Sequence, residues 1–227
     1  MRLAVPSSRK PRAFTLIELI TVVTVIVVLF SLVVGGFGYA DRAAKRNRTE
    51  VTMRSARSGL DLYREKFGSY PTYEAGRAGE SVQVGKKDFL VAGACCLYQA
   101  LSGDGYDFIY IGGTKPSSPP TSDGSVDQVE ARNVVLVNMP KEIYSKNGKF
   151  YFLVDGFGRP LRYARAKRYD PAGNAYNTPE NLNSFNTVNR EGYDLWSLTD
   201  DDKDTNLRMS SVEGQASKAD QRWITNW

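Results

Sequence analysis

Hydrophobic and polar positions divide this chain into three stretches with different rhythms. Residues 14–40 are almost wholly apolar, broken only by small or hydroxyl residues and by one carboxylate, Glu18. At 1.5 Å of rise per residue this stretch makes a helix of about 40 Å, enough to cross a hydrocarbon core of roughly 30 Å. From residue 41 onwards charged side chains appear, yet Met53, Ala56, Leu60, Tyr63 and Phe67 keep spacings of three and four. That is one apolar stripe on an amphipathic helix. Gly68 follows the last periodic residue and Pro71 forbids resumption, so the spacing predicts one helix over residues 14–67, its second half packed on a core.

Beyond Pro71 the pattern becomes short and irregular. Residues 89–101 (FLVAGACCLYQAL) predict a second helix, ended by Ser102-Gly103-Asp104-Gly105. Residues 108–111, 134–138, 150–155, 161–166 and 193–198 are short, β-branched or aromatic runs bounded by turn residues, and predict strands. Asp155-Gly156-Phe157-Gly158 reads as a hairpin turn between two of them. Residues 112–125 read as a Pro/Ser-rich surface loop. The expected fold class is α+β: a long N-terminal helix packed on a small domain with one antiparallel sheet and one helix laid across it. The expected organisation is a leader over residues 1–13, a membrane half of the helix over 14–40, an amphipathic half over 41–68, and a globular part over 69–227.

Charge changes the picture mainly at the N-terminus. The net charge of +5 falls to +1 once the four cations of residues 1–13 (Arg2, Arg9, Lys10 and Arg12) are set aside. The remainder is nearly neutral and carries no dense basic stripe with interleaved aromatics, so no nucleic-acid partner is expected. The basic leader before the apolar run predicts a cytoplasmic N-terminus by the positive-inside rule. The chain has no histidine, no GxSxG elbow and no phosphate-binding P-loop, and catalysis is not expected. Cys95 and Cys96 are adjacent and cannot staple distant segments. They read as small apolar residues of a buried helix, with a vicinal or intermolecular bridge as the alternative.

Glu18 is the informative residue. A carboxylate at the edge of a hydrocarbon span is expensive and functional by default. A cut between Ala13 and Phe14 would place a new α-amino group one helical turn away. That amine could neutralise Glu18 of the same chain or of a neighbouring copy, fixing subunit register. A signal peptide cut after Ala40, releasing a soluble binding module or enzyme, is the rival reading, as is an unprocessed anchor.

The run of cations, the motif AFTLIEL (residues 13–19) and the apolar span together resemble the type III signal of the type IV pilin and pseudopilin superfamily. The resemblance implies cleavage before Phe14 by a prepilin peptidase, N-methylation of Phe14, and assembly directed by Glu18. The family commonly has Gly before the cut, where this chain has Ala13. LDLYREKFGSYPT (residues 60–72), DGFGRPLRY (155–163), YDLWSLTDDD (193–202) and ITNW (224–227) are similar to the major pseudopilin of type II secretion systems. This implies the pilin fold, a homo-oligomeric filament, contact with an inner-membrane secretion platform and with lipid, and a single-pass location with the C-terminal part in the periplasm. It also implies a calcium loop beginning near residues 197–202, with Asp201 at the family's first ligand aspartate; Leu198, Asp200, Asp202 and Asp220 complete the candidate ligand set. Clustered carboxylates on a loop suit calcium's need for six to eight oxygen ligands. The motif Asp200-x-Asp202-x-Asp204 also matches the start of an EF-hand, but Thr205 stands where that loop needs glycine. A plain solvated acidic loop remains the alternative.

Overall fold

The computed structural model describes residues 14–73, 77, 79–109, 122–126, 135–167, 171–174, 187–190, 192–200 and 223–227. The chain divides into two units, one ending at Ala43 and the other running over Ala44–Trp227. One helix, α1 (Leu16–Phe67), contributes to both. It begins two residues later than expected, because Phe14 and Thr15 precede the first helical turn. It ends as the sequence predicts: Gly68 takes a left-handed φ of 74°, and its N–H donates to the Arg64 carbonyl at 2.8 Å. Gly35, Gly36 and Gly38 leave the helix unbroken.

In the first unit every apolar side chain from Phe14 to Ala40 is exposed. The hydroxyls that interrupt the apolar run turn back on the helix: Thr21 Oγ1 donates to the Glu18 carbonyl, Thr24 Oγ1 to Ile20, and Ser31 Oγ to Val28, all within 2.9 Å. The span therefore presents apolar surface with its hydroxyl donors satisfied internally, which is what a hydrocarbon environment demands. It is long and apolar enough to cross a membrane.

Among the described residues the second unit is α+β, with three small antiparallel sheets where one sheet is expected. β1 (Ser81–Val84) pairs with β2 (Lys87–Leu90), and β3 (Tyr144–Asn147) with β4 (Phe150–Leu153). β5 (Arg162–Arg165), β6 (Tyr193–Ser197) and β7 (Ile224–Thr225) form the third sheet, with β6 in the middle. The core is organised by α2 (Ala92–Ser102), buried at every residue from Ala92 to Leu101 and packed on β4 and β5. Met53, Ala56 and Leu60 of α1 join that core, as their spacing predicts. Two glycines permit close approach. A Cβ on Gly93 of α2 would lie 2.7 Å from the Tyr163 carbonyl oxygen of β5, and one on Gly59 of α1 would lie 2.8 Å from Leu101 Cδ2.

Several expectations are corrected. The apolar run at residues 89–101 is not all helix: Phe89 and Leu90 belong to β2, and the helix starts at Ala92. Periodicity alone cannot separate a buried strand from a buried helix when one runs into the other. Phe108 and Ile109 lie in a turn rather than a strand. The Phe108 N–H donates to the Gln99 side chain, so its backbone is committed elsewhere; the remaining two residues of that run lie outside those described. Leu136 and Val137 likewise form no ladder, both donating to the Leu101 carbonyl at the end of α2. Phe67 is 48% exposed and its ring lies tilted against that of the half-buried Tyr63, so the core stripe stops a turn earlier than its spacing suggests. The Asp155–Gly158 turn is present: the Gly158 N–H donates to the Asp155 carbonyl at 3.0 Å, and Val154 bridges Pro160.

Candidate functional site

Two places carry the chemistry the sequence singles out: the start of α1 and the exit of β6. At the first, Thr15 sits immediately before the helix and Glu18 is its third residue. The Thr15 N–H donates to Glu18 Oε2 at 2.8 Å, and Thr15 Oγ1 donates to the same oxygen at 2.9 Å. In return the Glu18 N–H meets Thr15 Oγ1 at 3.3 Å. This reciprocal pair is a capping box, which satisfies orphan donors of the first turn. Thr15-x-x-Glu18 ahead of an apolar run is its sequence signature, a signal passed over when Glu18 is read as an assembly residue alone. Glu18 thus has a local partner before any neutralising amine is considered. Phe14 is 82% exposed; Ala13 lies outside the described residues, so the proposed cleavage point is defined on its mature side only.

At the second place, β6 delivers Ser197, Leu198, Thr199 and Asp200 in succession. Leu198 is buried at 4% exposure, so only its carbonyl is a candidate oxygen donor. Thr199 is the one described non-glycine residue with a positive φ, 53°, which turns the chain sharply at the start of the acidic run. Its N–H donates to Ser197 Oγ at 2.9 Å, and its hydroxyl lies 3.5 Å from Asp200 Oδ1. Asp201, Asp202 and Asp220 lie outside the described residues. The Leu198 carbonyl and the Asp200 carboxylate are hard oxygen donors of the kind calcium takes. Among the described residues no group of three or more acidic, His or Cys side chains could hold a metal.

Behind that exit stands Asp155, which the sequence offers only as a turn residue. Its Oδ2 accepts from Ser197 Oγ at 2.6 Å, and its Oδ1 accepts the N–H groups of Phe157 and Arg159 at 2.8 and 2.9 Å. Burial pushes its carboxyl up to about 6, against these three hydrogen bonds, which favour the charged form. The same turn is fastened to α1: the Gly156 N–H donates to Thr49 Oγ1 at 2.9 Å, and Thr49 Oγ1 donates to the Lys45 carbonyl at 2.9 Å. Asp155 therefore ties the acidic exit of β6 to α1 through one turn.

Cys95 and Cys96 are free and buried in α2. Burial raises both thiols well above their ordinary range, which leaves them unreactive as nucleophiles. Comparisons with protein-family models, with curated proteins and with solved structures find no match to the chain.

Proposed function

We propose that this chain is a filament subunit of the type IV pilin-like kind, in the manner of a type II secretion pseudopilin. In this reading a prepilin peptidase cuts between Ala13 and Phe14 and methylates Phe14. The subunit waits in the inner membrane with its C-terminal part in the periplasm, then joins a homo-oligomeric filament above the secretion platform through residues 14–40. The chain supplies no catalysis, and the work of assembly comes from the surrounding machine.

The observation that carries the reading is the start of α1. A carboxylate stands at the head of a helix whose next turns expose apolar side chains, interrupted by hydroxyls bonded back to the helix, and that helix continues into the core of the second unit. Capping would serve a plain anchor or a signal peptide too, but a neutral glutamine could do it; a charge at that depth is the costlier choice. The capping box stabilises the first turn while the mature α-amine or a neighbouring copy supplies the counter-charge.

Assembly tests this with two variants. Glu18→Ala should insert normally but form no filaments. Thr15→Ala removes the hydroxyl of the cap and leaves the carboxylate, so filaments should persist at reduced yield. Filaments at wild-type level from Glu18→Ala would contradict the proposal. Equal loss from both variants would reduce the role of Glu18 to helix capping.

Calcium at the β6 exit belongs to the same proposal. The Leu198 carbonyl and Asp200 would be joined by Asp201, Asp202 and Asp220. Thermal melting should then shift upward with added calcium and fall with a chelator. Unchanged melting would assign the segment to a solvated acidic loop.

A further inference from the structure

Strand β5 buries a charge that neither the filament reading nor the calcium loop uses. Arg162 is 3% exposed, and both terminal nitrogens of its guanidinium, Nη1 and Nη2, are buried without a hydrogen-bond partner among the described residues. The sheet register sets Arg162 opposite Trp196 of β6, and Trp196 opposite Thr225 of β7. Directly opposed residues of an antiparallel pair stand on one face, so Arg162 shares its face with an indole and a hydroxyl. Trp227 packs its ring edge-on against Trp196 at 5.7 Å, and the Thr225 hydroxyl donates to the Trp227 carbonyl at 2.9 Å. Asp194, two residues before Trp196, falls on the same face. It is fully buried, but its carboxylate accepts the N–H groups of Val188 and Asn189 at 2.7 and 3.0 Å. Among the described residues, the ionisable group that acts on Arg162 is the Tyr73 hydroxyl. Burial pushes that phenol well up, so it stays neutral. Burial pulls Arg162 down only to about 10, so the guanidinium stays charged at neutral pH.

A buried, charged guanidinium with no counter-charge is among the costliest groups a core can hold. We propose that Arg162 holds one small monovalent anion, chloride or a free carboxylate such as formate, inside the second unit against the sheet β5–β6–β7. One positive charge needs neutralising among aromatic side chains, and a divalent anion would leave a negative charge unpaired in the same apolar surroundings. The planar guanidinium offers Nη1 and Nη2 side by side, which suits either a single sphere between them or the two oxygens of a carboxylate. Because the unfolded chain has no such site, the anion would tie the stability of the third sheet to anion concentration by mass action. Every residue involved belongs to the second unit, so the anion site stands or falls apart from the filament reading.

The test uses the full chain in a non-ionic detergent, with unfolding of the second unit followed by near-ultraviolet circular dichroism. Chloride or formate replaces gluconate, an anion too large to enter, at constant ionic strength. The folding equilibrium constant should rise with the small anion, approaching about tenfold per tenfold in concentration once the site is filled. A response to chloride alone would assign a spherical ligand, and a response to formate alone a carboxylate; either sustains the proposal. Arg162→Met should fold, match or exceed wild type in gluconate, and lose the response. A binding measurement on wild type needs no variant: chloride resonances should broaden in the presence of the protein and sharpen again when formate competes. Equal stability in chloride, formate and gluconate would overturn the proposal, by showing that the guanidinium is neutralised from within the chain. An undiminished response in Arg162→Met would overturn it too, by placing the anion effect elsewhere.

Discussion

Ile26 and Leu60 lie on the same helix and have similar side chains, yet one is 56% exposed and the other fully buried. The contrast extends to the surroundings. From Leu16 to Phe37 α1 exposes apolar surface on all sides, while from Thr49 to Leu60 a single stripe enters a core built on α2. Helix formation is common to both halves; what differs is the solvent each is made for. The first half is stable where every backbone group is bonded within the segment and the surroundings are apolar. The second half draws its stability from tertiary packing. Substitutions in the two halves should therefore fall into different assays.

Leu60→Ala should produce the largest loss, about 3 kcal/mol, because truncating a fully buried side chain leaves a cavity in the core. Chemical denaturation of the second unit, followed by near-ultraviolet circular dichroism, measures it. Gly156→Ala comes next, at about 2 kcal/mol, since the new methyl group would meet the Lys45 carbonyl and push the turn off α1. The matched control, Gly35→Ala, has open space around its Cβ and should leave that denaturation midpoint unchanged.

Asp155 sharpens the comparison through pH. Its folded pKa, about 6, is above the ordinary value of 3.8, so its contribution to stability is fully present below about pH 4 and is lost as pH rises through 6. Melting profiles of wild type minus Asp155→Asn should show wild type gaining relative stability between pH 7 and 4. A flat difference would mean that the turn opens to water. Ile26→Ala should have the smallest effect on the second unit, below about 0.5 kcal/mol, because the side chain is exposed and lies outside that unit's buried core. Its consequences should appear instead in membrane retention.

The regions also differ in how much of them can be read from residues alone. The long helix, its C-terminal cap, the Asp155 turn and the strands β4, β5 and β6 follow from local signals: a three–four spacing, a glycine after the last turn, alternation bounded by turn residues. The β1–β2 hairpin, β3 and β7 do not. β3 reads Tyr-Ser-Lys-Asn and is mostly polar, with Phe150 to Leu153 across the ladder supplying the buried positions. β7 has only two residues, paired to Trp196 and Ser197 across a long chain separation. Such pairings are decided by what is opposite, not by what is adjacent. Arg162 and Arg165 make the same point: β5 buries both cations, whereas composition places arginine outside. At the candidate sites, Glu18 and Asp200 are conspicuous from charge and position. Thr15, Asp155 and Gly156 are not, because their roles come from a reciprocal hydrogen bond, a hidden carboxylate and a close backbone approach.

The mass of the mature chain tests the central claim most directly. Intact-protein and N-terminal peptide mass spectrometry of material purified from membranes should show a chain that begins at Phe14 with one methyl group on its amine. A chain beginning at Asp41, or one that keeps Met1, would contradict it.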